Sequence, residues 1–584
     1  MLQERYYMKH YNLYILLVLV SLIILDNQSV DATTLYADNT MNTNCTTGNY
    51  SILNRLCNGS DGKGYKSIKE ALLAMNTGDT ILIRGGLYQE GHIRINYLKS
   101  GSSWNAGQFN TIKSYPGEWA ILDGQNGGGT GGFDGIKVGS NAQSECVLGH
   151  SIYPSAGQGH MKYWKFENLE IKNGATADGQ YAAGFWGTAG PFIFRNCYIH
   201  DNLADIMANN PAGLTGHVWH DSLIEFCYFF NNGAKESTHH NSANLAIYSD
   251  YNPNGIAATG FTDVGHHTMK NEIRYNLFIG SAVAIKYKQC QLFSGRDTSK
   301  GQPDDTYKTY GDKVHHNIIR NAAAYAIDAR QDFIQVYNNI IDSCASGIAV
   351  GEEDTRSIYK AVVYNNTIIN STNWGIFRVH SWWTDYNLPT QTTTYYGYDY
   401  NNLLDQIRDG WNWSDIGVDT YSTFGGYTPV YSGYVNDRNF FYRPIANLYD
   451  PNGTYLVYIG HSNNRLTKTT FEAAYPGTKL FRKDYNAASP LYQSTDGVAK
   501  YKTRADYTLE GNLTISNAGK GTSHPYLANV IIPSYIGATN PNTDSGNAWN
   551  PDTPNPDDSG WVNYVLSLTI KMAQPPKIQN ATIN

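Results

Sequence analysis

A short motif recurs along the chain and limits its fold more than any other feature. ENLEIKN from Glu167, RNCYIHDN from Arg195, EFCYFFNN from Glu225, YNLFIGS from Tyr275, HHNIIRN from His315, YNNIIDS from Tyr337 and YNNTIINS from Tyr364 share one pattern. A polar or Asn position precedes a short apolar strand, and Asn, Ser or Gly follows it. The anchors Asn168, Asn196, Phe226, Asn276, His316, Asn338 and Asn366 lie 22 to 50 residues apart. A unit of that length cannot bury its own apolar face, but stacking such units builds a continuous core with strands about 4.8 Å apart. The expected fold is therefore an all-β solenoid in which each segment marks one coil and the longer spacings add a loop. Asn196, Asn276, Asn338 and Asn366 are expected to form an asparagine ladder at a coil corner. Cys197 and Cys227 share one position in neighbouring coils, where they form either a small-residue core ladder or a disulfide between coils.

The composition agrees. Gly, Asn, Thr and 46 tyrosines favour strands and turns over helices. Charged residues make up only 16% of the 584, with a net charge of −7, so a broad basic surface for nucleic acid is not expected. Basic residues at Arg5, Lys9 and His10 precede an apolar run at residues 13–25, and small residues lead to Ala32. This reads as a signal peptide over residues 1–32, too short in its apolar part to span a bilayer, and places the mature chain outside the cell or on its surface with no membrane-spanning segment. Ten Asn-X-Ser/Thr sequons permit glycosylation. Of seven cysteines, Cys45 and Cys57 bracket a polar loop near the mature N-terminus and are the expected disulfide.

A Ser-x-x-Glu capping box opens the helix-like SIKEALLAM at residues 67–75, and NTGDTILIRGGLYQE follows it. With DYTLEGNLTISNAGKG from Asp506 and the repeats between, these segments resemble the right-handed parallel β-helix proteins of the pectate-lyase-like class over roughly residues 33–521. The expected organisation is a β-helix domain at 33–536, capped by the N-terminal helix and carrying an aromatic-rich insertion at 380–434. A Pro/Asn/Asp-rich linker at 537–560 and a strand-like tail at 561–584 follow.

After each anchored strand comes another with a small-residue–Ile signature: LAIYSD, VAIKYK, YAIDAR, SGIAVGEED and WGIFRV. Aligning Ile247, Ile285, Ile327, Ile348 and Ile376 as inward residues turns their neighbours outward. The outward column then reads Tyr248 and Asp250, Lys286 and Lys288, Asp328 and Arg330, Ala349 with Glu352 and Glu353 just beyond, and Phe377. In a chain poor in charge this concentration marks either a groove or a solvated wall of cross-strand ion pairs. Long insertions beside these coils favour the groove.

The chemistry such a groove suits is β-elimination on an acidic polysaccharide, which needs a carboxylate neutralised, the C5 proton removed and the leaving oxygen protonated. A lysine with cationic neighbours can be the base. The resemblance to polysaccharide lyases of families six and nine implies Lys288 as base, with Lys286 as its alternative, and Arg330 as acid. It also implies calcium as a candidate cofactor, for which Asp250 and Asp328 with Glu352 or Glu353 could supply oxygens. Asp328, Tyr248, His239, His240, Trp382 and Trp383 are the candidate substrate contacts, the aromatic rings as sugar-stacking surfaces. A glycoside hydrolase using Asp250, Asp328 and Glu352, and a non-catalytic glycan-binding surface or matrix protein, are the competing readings.

Overall fold

In the computed structural model, the described residues are 32–95, 97–124, 146–149, 161–174, 183–204, 211–234, 242–249, 268–288, 290, 309–351, 358, 360–379, 397–405, 416–419, 434–442, 455–459, 465–483, 522–523 and 531–532. The signal-peptide reading, most of the aromatic insertion, the linker and the tail lie outside them. None of the described helices is long and apolar enough to cross a membrane.

Three long sheets of fourteen, twelve and twelve strands run through the molecule. The chain visits them in turn, so that strands of successive coils pair in parallel, with an antiparallel strand only at the end of the first sheet (Cys45–Tyr50 on Gly62–Tyr65) and of the third (Arg465–Thr467 on Tyr455–Ile459). One coil shows the plan. Lys313–His315 lies in the first sheet, Ile318–Arg320 in the second and Tyr325–Ala329 in the third. Each pairs in parallel with Gln335–Tyr337, Ile340–Asp342 and Ser346–Gly351 of the following coil. The chain is a parallel β-helix. Its interior holds one large apolar cluster built from the inward residues of the three sheets, such as Ile273, Val314, Val336 and Val363 in the first. Phe166 and Phe194, and Phe229 and Phe278, stack with ring centroids 4.8 and 4.6 Å apart, matching the rise between coils.

At the N-terminal end the helix Ile68–Ala74 packs Ile68, Ala71 and Leu72 into this cluster. Ser67 Oγ accepts the Glu70 backbone N–H, and the Glu90 carboxylate accepts those of Ile68 and Lys69, so three of the helix's first donors are satisfied. Cys45 and Cys57 form a disulfide with Cα atoms 5.3 Å apart. Cys197 and Cys227 are free and buried, a core ladder rather than a bridge.

The sharp corner between the first and second sheets needs two residues with different tasks, and the expected ladder merges them. Asn168, Asn196, Phe226, Tyr275, His316, Asn338, Asn365 and Asn401 adopt φ between 51° and 56°, the left-handed region that turns the chain. The residue after each points inward. There Asn276, Asn317, Asn339, Asn366, Asn402 and Asn439 form the ladder: Asn276 Oδ1 takes the backbone N–H of Cys227, and each later Oδ1 takes the backbone N–H and side-chain amide of the preceding asparagine. Each Nδ2 also donates to a backbone carbonyl one coil earlier, as Asn339 does to Val314 at 2.9 Å. Asn196 and Asn338 thus belong to the turning column, while Cys197 and Cys227 occupy the inward one. Asn365, the Asn of one sequon, is fully buried and accepts from Asn401, which closes that sequon to glycosylation in the folded chain.

The two columns predict responses of different size. Asn339→Ala removes a ladder rung and leaves buried backbone groups without partners, which should lower unfolding free energy by about 2 kcal/mol. Asn338→Gly keeps the left-handed turn and should cost under about 1 kcal/mol. Chemical denaturation of the two variants compares them directly.

Candidate functional site on the third sheet

The outer face of the third sheet holds the residues singled out above, in a register close to the expected one. Ile285, Ile327, Ile348 and Ile376 are Cα partners on successive coils and all lie in the core cluster. One coil differs. Leu245, not Ile247, pairs with Ile285, and Ile247 pairs with Tyr287. The slip is two residues, so inward and outward faces are preserved, but the outward partners of Lys286 and Lys288 become Ala246 and Tyr248 in place of Tyr248 and Asp250. Tyr248 is therefore beside Lys288. Asp250 lies outside the described residues, as do Glu352, Glu353, His239, His240, Trp382 and Trp383.

Alternation gives the direction of the lysines but not their depth. Lys286 faces outward yet has no exposed surface, whereas Lys288 on the same strand is half-buried. Lys286 is in register with Asp328 of the next coil. Asp328 is 2% exposed, and its Oδ1 accepts from Arg330 Nε at 2.8 Å, while its Oδ2 has no hydrogen-bond partner among the described residues. Past this pair the register shortens. Lys286 pairs with Asp328 and Cys290 with Gln331, four residue steps against three, so the lysine strand carries one extra residue around Lys288. Such a bulge re-aims the side chains it carries. Behind the strand, Tyr287 points into the core towards Asp312, whose carboxyl is pushed up to about 6 by burial against hydrogen bonds from Asn271.

On the other side of the lysines the column continues into coils that lack the Ile signature. Trp186 stacks on His217 and His217 on Tyr248, both at 4.9 Å, and Tyr248 is the register partner of Lys288. Burial holds the His217 imidazole down to about 3, so it is neutral at any ordinary pH. His217 and Trp186 are absent from the sequence-based expectations. The signal that could have found them is GLTGHVWH from Gly213, whose Leu214 takes the phase that Ile holds in later coils.

The calcium reading lies mostly outside the described residues. Of its four candidate ligands only Asp328 is described, one of its oxygens is engaged by Arg330, and a calcium ion takes six to eight oxygens. No group of three or more potential metal ligands occurs among the described residues.

Ion-pair walls of the kind weighed against a groove do exist, on the first sheet. Glu225, 2% exposed, accepts from Arg195 through Oε1 and from Arg274 through Oε2 at 2.7 Å. Glu272 accepts from Arg274 at 2.8 Å and pairs with His315 Nε2 at 2.9 Å; that imidazole contact, opposed by burial and helped by Arg274, holds the carboxyl near 2. On the second sheet His200 bridges Glu170 at 3.2 Å and Asp201 at 2.8 Å. Burial opposes charge on His200, but the two carboxylates prevail and raise its pKa, while theirs are lowered. In these clusters the charges are matched within the wall. Asp328 with its open Oδ2, beside a fully buried lysine, differs from all of them.

No protein-family model matches the chain, and no curated protein matches it. Among solved structures it is similar to pectate lyase Pel9A, at 13% identity over 87% of this chain and 98% of that one, with a TM-score of 0.40. A family 6 polysaccharide lyase from Pseudopedobacter saltans gives 12% identity over 72% and 96%, with a TM-score of 0.37. A family 28 exopolygalacturonase from Yersinia enterocolitica gives 10% over 68% and 73%, with a TM-score of 0.39. Likeness at this level concerns the fold alone and leaves the chemistry to the residues.

The buried charges make their own stability predictions. Asp328→Asn removes the carboxylate between buried cations and should cost about 3 kcal/mol, whereas Lys288→Met should cost under about 0.5 kcal/mol, both read by chemical denaturation. For the His200 cluster, the raised imidazole stabilises fully below its ordinary value of 6.5 and loses that contribution as pH rises through its folded value. The lowered Glu170 keeps its contribution above its ordinary 4.5 and loses it as pH falls. His200→Gln should therefore cost most between about pH 4.5 and 6.5 and progressively less above that window, read from melting temperatures across pH.

Proposed function

We propose that this chain is an exported glycan-active enzyme that cleaves a uronate-containing polysaccharide by β-elimination on the outer face of the third sheet. The observation that carries the reading is the meeting, on two adjacent coils, of Lys286, Lys288, Asp328 and Arg330 beside the ring of Tyr248. The Cys45–Cys57 disulfide supports export, since such bonds persist in oxidising compartments.

Solvent access separates the two lysines. Lys286, fully buried, suits a fixed positive charge; Lys288, half-buried and carried by the bulge, suits the group that meets substrate. Lys288 as a neutral amine takes the C5 proton of the uronate. The C–H electrons form the C4–C5 double bond, the C4–O bond breaks, and the leaving oxygen takes a proton from water. The resemblance gives Arg330 the acid's part. A guanidinium that stays protonated and is held by Asp328 is better suited to stabilising the negative charge that builds on the uronate carboxylate. Hydrolysis needs two carboxyl groups facing one bond. Asp328 is the only described member of the set that reading draws on, and it is engaged by Arg330.

The test is ultraviolet absorbance of unsaturated product from a panel of uronate polysaccharides. The wild type should generate it, and Lys288→Met should reduce turnover by at least about a thousandfold with glycan binding retained. New reducing ends without absorbance would point to hydrolysis, and full activity in Lys288→Met would remove the lysine base.

A further inference from the structure

The corner that leads from the third sheet back to the first carries a second column of polar side chains. Ser222 Oγ, Asn271 Oδ1, Asp312 Oδ1 and Gln331 Oε1 each accept a backbone N–H from one coil earlier, those of Phe192, Ser222, Asn271 and Asp312, at 2.7 to 3.0 Å. Asp312 is the one acidic member and has no exposed surface. The column does not need its charge. At the other corner an asparagine oxygen takes both a backbone N–H and a side-chain amide, as Asn339 takes those of Asn317. Asp312 spreads the same two donors of Asn271 over its two oxygens, with Nδ2 on Oδ2 at 3.0 Å. Burial pushes its carboxyl up to about 6, opposed by hydrogen bonds from the neutral groups of Asn271, Gln331 and Tyr287. A carboxylate kept in the core without a counter-charge costs stability.

Opposite Asp312 stands the bulge that carries Lys288. Tyr287, the residue before the lysine, is fully buried in the core. Its hydroxyl makes no hydrogen bond of good geometry among the described residues, and Asp312 is the charged group that acts on it most strongly. Cys290, at the far end of the bulge, bridges to Gln331, whose side chain accepts the Asp312 N–H and donates to the Thr268 carbonyl at 2.9 Å. Both ends of the lysine segment therefore meet one corner residue. Tyr287 and Cys290 are the inward titratable groups of this segment, and Asn271 and Gln331, from the corners before and after, are neutral. Lys313, next in the chain to Asp312, is exposed, and Asp332, next to Gln331, is buried.

We infer that Asp312 is a positioning residue for Lys288: its carboxylate holds Tyr287 by the hydroxyl from inside, its backbone holds Cys290 through Gln331, and the bulge between them sets where the lysine stands. The inference rests on the proposed elimination for what Lys288 does. The hold on Lys288 can be measured without it.

The experiment compares the full-length wild type with Asp312→Asn and Tyr287→Phe. Trace acetylation at pH 8, read by mass spectrometry, should rise at least about threefold at Lys288 in both variants and stay unchanged at half-exposed Lys66, because a lysine released from the bulge gains solvent access. On the uronate glycan that the wild type cleaves, each variant should lower kcat about tenfold with KM within about twofold, and the double variant should lose no more than either alone. The melting temperature of Asp312→Asn should be unchanged or higher at pH 8. Any gain should fade towards pH 4, because the folded carboxyl at about 6 lies above its ordinary 3.8 and burial penalises only the charged form. Lys288 labelled at the wild-type rate in both variants, or wild-type kcat in both, would overturn the inference. So would an Asp312→Asn that melts lower at pH 8 while Tyr287→Phe leaves Lys288 unchanged, since the carboxylate would then serve the column alone. A wild type that cleaves no uronate glycan would sink the elimination reading, and the labelling would still decide the inference.

Discussion

The constraint on which the rest depends is the rise of about 4.8 Å between parallel coils. Every side chain meets its counterpart in the next coil at that spacing, so whatever occupies a position is repeated, stacked or paired along the axis. The inward asparagines turn this into cohesion. An amide such as that of Asn339 accepts from the coil before it and donates both to that coil and to the next, closing backbone groups that a sharp corner would otherwise leave open inside the core. With the corner fixed, strand phase is fixed, and with phase the outward columns.

Those columns separate two uses of charge. On the first sheet Glu225 lies between Arg195 and Arg274 with both oxygens engaged, an arrangement complete without any other molecule. On the third, Asp328 satisfies Arg330 through one oxygen and keeps the other open beside fully buried Lys286. Charges taken out of water are costly unless matched, so the open Oδ2 of Asp328 is a place where a further hydrogen-bond donor can complete the set.

The parts legible in the sequence were those that alternation determines. The small-residue–Ile signature located Ile285, Ile327, Ile348 and Ile376 because one inward residue per coil repeats at one phase. It misplaced Ile247 because that strand has two apolar inward positions, Leu245 and Ile247, and only Ile247 matches the signature. The ladder was read correctly at Asn276 and Asn366 and one residue early at Asn196 and Asn338, for a similar reason. In YNN both asparagines are favourable, the first for left-handed φ and the second for inward hydrogen bonds, and composition cannot say which is which. Depth was illegible altogether. Lys286 and Lys288 are two residues apart on one face, yet burial differs because it depends on what other coils and loops place beside each.

His217 shows why the stacked rings of this column escaped notice. Charge stands out in a chain where it is scarce, and a histidine between glycine and valine reads as an ordinary polar residue. Only the register brings it between Trp186 and Tyr248, where two aromatic faces exclude water and remove its proton. The stack then ends at Lys288, where the rings give way to a cation on the same column. A strip that changes from stacked rings to buried charge within one coil rise has a polarity along its axis. On the proposed function, a linear polymer lying along the column would meet rings at one end and a cation at the other.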